Sequence, residues 1–425
     1  MKNHIWLIPG ILITAILFSS CEDRRFQTFT ANVPIYMSYE DLREAVQVMD
    51  PIPMLEPGKI YFKDNYIFIN EYMKGIHIID IEDPSSPTTI SFLNIPGNID
   101  MAIKDNIMYA DSYIDLVLID ISDPSAPVEV NRLDSILSYT LPNYDIDYPL
   151  AEIDYKEGVV IDWEVKEYKQ EINYNPYPWP IYYEYDMLSS SSFRSVNSGG
   201  GATYGIGGSM ARYSTYNDYL YLLEDNSMLK VIDISDIESP LITFDKYVGW
   251  GLETMFIYDD YMYMGATNGM HIFDLKYPDN PIKTAEYSHV TSCDPVVVSG
   301  NYAYVTLRSG NICGGTADLL DVINISNKWN PTRIASFTMN EPYGLGISDN
   351  TLFVCQGDNG LVVYDATTPS QVGNNLLAEI NDIAATDVIP LDTLLFTIGD
   401  DGFYIYDYSD LNDITFLSSI LVAGE

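Results

Sequence analysis

The chain has 425 residues, 61 of them acidic and 21 basic, for a formal net charge of −40 at pH 7. That balance argues against nucleic-acid binding, which needs clustered Lys and Arg, and against lying flat on anionic lipid. A hydrophobic content of 47% is ample for a packed core, so the acidity belongs to loops and not to disorder.

Residues 1–21 open with Met1-Lys2-Asn3-His4, run apolar from Ile5 to Phe18 and end in Ser19-Ser20-Cys21. The apolar run falls short of the roughly 20 residues a membrane helix needs, but it suits a signal-peptide core. It resembles a bacterial lipoprotein signal, with Cys21 as the lipidated residue, although Phe18 stands where that motif prefers Leu. The resemblance implies attachment to the outer membrane by a lipid anchor alone, with the protein facing the periplasm or the surface. Residues 22–53 read as a tether and lead-in. Ser38 followed by Tyr39-Glu40-Asp41 predicts an N-capped helix reaching about Val46. Residues 32–37 are expected to form a strand that closes the fold against its last repeat.

From residue 54 to the C-terminus one phrase recurs. It reads Gly-Ile-His-Ile-Ile-Asp-Ile-Glu-Asp-Pro-Ser-Ser-Pro at 75–87 and Leu-Val-Leu-Ile-Asp-Ile-Ser-Asp-Pro-Ser-Ala-Pro at 116–127. Its anchor residues are Asp80, Asp120, Asp233, Asp274, Asn324, Asp365 and Asp407, spaced by 40, 113, 41, 50, 41 and 42 residues. Proline stands four residues on at Pro84, Pro124, Pro278 and Pro369, or seven on at Pro87, Pro127, Pro240, Pro281 and Pro331. Proline ends a strand because it cannot donate to a ladder, and the anchor is expected to accept backbone N–H groups of the following turn. A second phrase precedes each anchor, as in Lys-Asp-Asn-Tyr-Ile-Phe-Ile at 63–69 and Tyr-Asp-Asp-Tyr-Met-Tyr-Met at 258–264. It predicts a polar turn opening a strand. Asn268-Gly269, Asn359-Gly360 and Asp401-Gly402 mark tight hairpins between the two phrases. Each unit thus reads as four strands. The fold class is all-β: a seven-bladed β-propeller of four-stranded blades, with a short N-terminal helix and one long insertion. Calcium at the Asn-Gly and Asp-Gly turns is conceivable, but hairpin formation already explains those residues, and no cofactor is expected.

The insertion spans 135–209. Within it, 149–170 reads as a hairpin turning at Lys156-Glu157-Gly158. A Pro-rich aromatic stretch follows, with Tyr177, Trp179 and Tyr182 as candidate partner contacts. A binding arm and a disordered or blade-packed loop fit that composition equally. The strand starts supply further polar candidates: Asp100, Met210 with Arg212, Glu253 and Asp387. Such residues can converge on a propeller channel, though each more simply satisfies backbone groups.

Residues 288–295 and 307–315 depart from the repeat. They bring His289, Asp294 and Arg308 near one blade's edge, together with Cys293 and Cys313 as a disulfide candidate. A ligand or partner site competes there with a stapled loop, the structural reading being favoured. Cys355 is then left as a free, buried thiol. His77 and His271 fill the same slot of blades 1 and 4, too far apart to share a metal ion. No His-Glu-x-x-His, Gly-x-Ser-x-Gly or P-loop motif is present.

The recurring phrase resembles the LVIVD repeat of bacterial propeller lipoproteins, over roughly residues 55–420. Asn324 replaces the anchor Asp, and Ile237, Lys328 and Leu411 replace the first proline. The resemblance implies a surface or envelope protein and carries no assigned reaction. Two functions are therefore carried forward. One is a non-catalytic propeller that binds an envelope protein or surface glycan, or scaffolds an assembly. The other is a calcium- or carboxylate-dependent polysaccharide hydrolase or lyase with its site at the propeller mouth.

Overall fold

The computed structural model describes residues 26–171, 206–288, 295–309 and 317–424. The repeats form seven antiparallel four-stranded blades at 57–94, 101–133, 213–247, 252–288, 296–338, 345–380 and 387–421. In each blade the strands pair in sequence order, from inner edge to outer edge.

The anchors act as the sequence predicts. Asp80, Asp120, Asp233, Asp274, Asn324, Asp365 and Asp407 each end a third strand and accept the backbone N–H two residues on, at 2.7–2.9 Å. One feature is not legible in the phrase. The pairing of third and fourth strands slips just before the anchor in all seven blades, as between Ile78 and Ile79 or Ile405 and Tyr406. Such a bulge sharpens the local twist, which helps blades fan around an axis.

The sixth residue of each opening phrase is aromatic and fully buried: Phe68, Tyr109, Tyr221, Tyr263, Tyr304, Phe353 and Phe396. With their Ile, Val and Leu neighbours they fill the spaces between adjacent blades. A polar bond repeats at these junctions. The carbonyl four residues after the anchor accepts from the preceding blade: Pro124 from Ser91 (3.2 Å), Ile237 from Asn131 (2.6 Å), Pro278 from Tyr221 (2.9 Å) and Lys328 from Thr284 (2.9 Å). Between blades 7 and 1, Pro84 accepts from Ser418 at 2.5 Å.

The N-terminal segment departs from expectation. Strand β1 (Phe26–Met37) pairs along its length with a strand of the insertion and not with the last blade. Blade 7 takes all four strands from contiguous sequence, so no strand is needed to complete it. Helix α1 (Tyr39–Glu44) has the predicted Ser38 cap, whose hydroxyl oxygen accepts the Asp41 N–H at 3.1 Å. Strand β2 (Gln47–Met49) then adds to the outer edge of blade 1.

In the insertion, the turn at 154–158 forms, with Asp154 accepting the Lys156 and Glu157 N–H groups. The expected hairpin does not. Strand β3 (Val159–Glu171) takes β1 as its partner, from Phe26 opposite Glu171 to Met37 opposite Val159. Leu150 makes only an isolated parallel bridge to Asn32. Asn32 fixes that arrangement, since its buried side-chain amide donates to the carbonyls of Asp145 and Tyr148. A short strand β4 (Ile206–Gly207) pairs with the inner edge of blade 1.

Ring closure by packing predicts a large penalty for emptying the 7–1 junction. Phe396 stacks between Phe62 of blade 1 and Phe403 of its own blade. Phe396→Ala should cost about 3–5 kcal/mol, read as a shift of the urea midpoint at unchanged slope. A loss below about 1 kcal/mol would show that the junction does not carry closure.

Candidate functional site

Residues 206–212 run along the propeller axis. After β4, Ser209 donates its backbone N–H (3.2 Å) and its hydroxyl (3.3 Å) to Asp387 of blade 7. The same hydroxyl oxygen accepts the Leu345 N–H of blade 6 at 2.8 Å. The Ala211 carbonyl accepts the Met255 N–H of blade 4, and the Arg212 carbonyl accepts the Leu223 N–H of blade 3. The Arg212 N–H goes to Asp100, at the start of blade 2, at 2.7 Å. Hydrogen bonds to blades 1, 2, 3, 4, 6 and 7 place this segment in the hub, where Ser209, Met210 and Ala211 are buried. Glycine is required for the fit: a β-carbon at Gly208 would lie 2.3 Å from Asp387 Oδ2.

Of the strand-start residues read from the sequence, Asp100, Met210, Arg212 and Asp387 converge here, and the carboxylates of Asp100 and Asp387 meet backbone. Asp387 also accepts the Val388 N–H, and Asp100 the Met101 N–H. Asp100 forms a buried ion pair with Lys59 at 2.6 Å. Burial pushes the Lys59 ammonium down, with Asp100 opposing and Arg212 reinforcing the shift. Asp111 lies beside this pair and accepts the Ile99 and Asp100 N–H groups and the Asn98 amide, each within 2.9 Å. Burial pushes its carboxyl up to about 6, against those N–H bonds.

A second set of carboxylates holds the segments outside the repeats. In blade 1, Glu71 binds the Leu55 and Glu56 N–H groups and His77 Nε2 (3.0 Å). Burial alone would raise its pKa, but the bonds from His77 and the two N–H groups outweigh it and hold the carboxyl low. In blade 2, buried Asp115 binds Arg132, the Ser135 N–H and Arg43 of α1. In blade 3, Glu224 binds Lys230 (2.7 Å) and the Ser138 N–H (2.9 Å).

Blade 4 differs. His271 fills the His77 slot, as the sequence indicates, but Ala266 ends the second strand where Glu71 and Glu224 stand. Neither ring nitrogen of His271 has a hydrogen-bond partner, and Glu286 lies 3.7 Å from Nε2. Burial, aided by Lys283 and opposed by Glu286, pushes the imidazole down to about 4. Glu253 accepts the Thr267 hydroxyl at 3.2 Å nearby. The loop that packs on His271 through Gly249 carries Trp250, 63% exposed, between Gly249 and Gly251. The sequence reading passed over Trp250; its signal is an indole flanked by glycines in a loop.

Of the remaining candidates, Arg212 is half-buried at the start of blade 3. Arg308, half-buried in blade 5, stacks on Tyr343 at the start of blade 6, 3.9 Å from the ring centroid. The two arginines thus belong to different blades. Cys355 is buried and unpaired, with burial raising its thiol pKa. Cys21, Tyr177, Trp179, Tyr182, His289, Asp294, Cys293 and Cys313 lie outside the described residues. Among the described residues, no three His, Cys, Asp or Glu side chains gather as a metal site, and no helix is long and apolar enough to cross a membrane.

These features define a seven-bladed β-propeller whose axis is filled by its own chain. The family model described as the LVIVD repeat matches residues 58–94, 99–135, 207–245 and 292–339, which fall on blades 1, 2, 3 and 5. Among solved structures, the chain is similar to a protein from Lactobacillus plantarum, with 10% identity, a TM-score of 0.54 and coverage of 86% of this chain and 96% of that one. It is similar to the periplasmic gluconolactonase PpgL of Pseudomonas aeruginosa, with 9% identity, a TM-score of 0.54 and coverage of 85% and 96%. It is also similar to the computationally designed Ika8 protein, with 11% identity, a TM-score of 0.50 and coverage of 88% and 90%. At such identity these likenesses speak to the fold alone. No curated protein matches.

The hub segment predicts that Gly208→Ala destabilises the propeller by about 1–3 kcal/mol, because the added methyl meets Asp387. Urea titration gives the magnitude, and limited proteolysis should show new cleavage within 205–212. Full resistance there would mean that the segment is not held by the hub.

Asp111 and His271 make opposite contributions to pH dependence. A carboxyl whose pKa rises on folding binds protons better in the native state, so its contribution falls as pH rises from about 4 to about 6. A histidine whose pKa falls on folding binds protons better when unfolded, so stability is lost as pH drops from about 6.5 to about 4. Asp111→Asn should therefore steepen the acid-side loss, and His271→Gln should flatten it. Urea midpoints between pH 4 and pH 7 measure both slopes, and two unchanged slopes would contradict the assignment.

Proposed function

We propose that the protein is a non-catalytic lipoprotein of the bacterial envelope, held at the outer membrane by lipid on Cys21. Its propeller binds an envelope protein or surface glycan, or scaffolds an assembly. The observation that carries this reading is the filled hub. Propeller chemistry usually needs polar groups converging on an open mouth. Here Asp100 and Asp387 accept N–H groups of the chain's own axial segment. The second reading, a carboxylate- or calcium-dependent polysaccharide hydrolase or lyase, would draw on those same carboxylates. A periplasmic gluconolactonase among the similar folds illustrates what other propellers carry and transfers no activity to this one.

Crosslinking and pull-down of the tagged full chain from intact cells tests the proposal. One dominant partner is expected. Capture should fail when 174–201 is deleted, with thermal unfolding unchanged. Cys21→Ser should release the protein from the membrane fraction. Turnover of a surface polysaccharide that is lost in Asp387→Asn would favour the enzyme instead.

A further inference from the structure

The ribbon of β1 and β3 belongs to no blade. Its inner half is tied down. Val159 is buried with Leu42, Tyr113 and Ile114, the Trp163 indole donates to the Pro142 carbonyl at 3.0 Å, and the Tyr36 hydroxyl accepts the Asp154 N–H at 2.7 Å. Asn32, at the middle, is fastened through Asp145, Tyr148 and Ala151. From there to Phe26 the two strands run on together for about 20 Å, at roughly 3.4 Å per residue. Gln27, Thr28, Thr30, Lys166, Glu167 and Lys169 are exposed along this outer half.

Side chains alternate between the faces of a strand, and the register is unbroken from Phe26 to Ile35. One face of the outer half carries Phe26, Glu167, Lys169 and Glu171. The other carries Gln27, Phe29, Lys166, Tyr168 and Gln170, and no acid. Phe29 and Tyr168 meet edge to face there, 5.9 Å between ring centroids. Glu164, the next carboxylate inward on that face, is paired with Lys166. Such a face is unusual for a chain with 61 acidic residues.

Its place in the chain supplies an occupant. Cys21 precedes Phe26 by five residues, so the two lie no more than about 18 Å apart. A lipid on Cys21 therefore brings the outer half of the ribbon to the bilayer surface, whatever path residues 22–25 take.

We propose that this acid-free face is a lipid-contacting surface, with Phe29 and Tyr168 at the headgroup level of a zwitterionic bilayer. The contact rests on the lipidation of Cys21 proposed above and gives the same membrane a second point of attachment. Aromatic rings settle at the membrane–water interface, and a lysine stem can lie along apolar surface while its ammonium stays in water. A lipid alone leaves the propeller free to swivel. A ribbon that touches the bilayer at one end and is packed on Tyr113 and Ile114 of blade 2 at the other holds it in one orientation. The net charge of −40 keeps the rest of the chain off anionic lipid.

Photo-crosslinking of the full chain, isolated from membranes and reconstituted in phosphatidylcholine vesicles, tests this. Benzoylphenylalanine in place of Phe29 or Tyr168 should give lipid adducts at about five-fold or more the yield from Thr30, on the opposite face, or from Thr332, on the outer strand of blade 5. Gln27→Glu combined with Gln170→Glu charges the face without touching the aromatic pair. It should cut the adduct at position 168 by about five-fold, with melting and vesicle flotation unchanged. No excess at position 29 over Thr30 or Thr332, indifference to the two glutamates, or adducts to protein, a second copy included, in place of lipid would overturn the proposal. Flotation separates it from the anchor. If the protein floats and Cys21→Ser releases it while position 29 gives no lipid adduct, the ribbon contact falls and the anchor stands. If the native chain carries no lipid and does not float, both fall.

Discussion

A blade alone leaves an apolar face open on each side, so the structure depends on every blade packing against two neighbours, the last against the first included. Many ring-shaped repeats could meet this demand with a strand borrowed across the seam. This chain closes by repetition. The buried aromatic slot continues through Phe396 and Phe68, and the Ser418–Pro84 bond copies the polar bond found at other junctions. The seam is thus chemically the same as the other interfaces. It still joins the ends of the repeat array, and the axial segment reinforces it by bonding blade 1 through β4 and blade 7 through Asp387.

The acidity has a division of labour that the net charge conceals. Anchor carboxylates at the surface organise the turns after each third strand. Buried ones serve as acceptors for backbone that the repeats alone leave unsatisfied. Asp387 and Asp100 hold the axial segment, and Glu71, Asp115 and Glu224 hold the lead-in, α1 and the start of the insertion. A carboxylate accepts several N–H bonds at once, which suits irregular chain laid over a regular scaffold. Where Lys59 or Arg132 stands beside one, the charge is also compensated in place.

The parts legible in the sequence were those whose cause lies within one repeat. Asp80 and its relatives could be read because the N–H they accept is two residues away. Each opening phrase could be read as a turn and a strand because both lie within seven residues, whereas the burial of its aromatic between blades depends on the neighbouring blade and was not read. The axial segment could not, since Ser209 meets Asp387 at a separation of 178 residues and nothing local marks the pair. The pairing of β1 with β3 failed for the same reason. Both strands carry strand-like composition, and a partner across more than a hundred residues is fixed by Asn32 and its bonds to the 145–148 turn. Asp100, Glu253 and Asp387 were found at strand starts, but their partners were not.

The way the extra segments are laid down also decides which surface is left. They are anchored on blades 1, 2 and 3 by one buried carboxylate each, and the hub is filled from the same insertion. Blade 2 ends its second strand in Ser112 and uses Asp115 at the start of the third, whereas blade 4 ends it in Ala266, and there the adjoining loop presents Trp250 to solvent while both ring nitrogens of His271 are buried without a hydrogen-bond partner. An unbonded buried polar group costs roughly 1–3 kcal/mol relative to a satisfied one. The penalty is not confined to blade 4, since Arg212 Nε and Asp401 Oδ1 are also buried without a hydrogen-bond partner. An apolar residue at His271 would remove its part of that penalty, since Val117 and Val362 fill the matching slots of blades 2 and 6, whereas Asn226, whose buried side-chain oxygen likewise lacks a donor, holds a left-handed backbone, φ +50°, that suits asparagine.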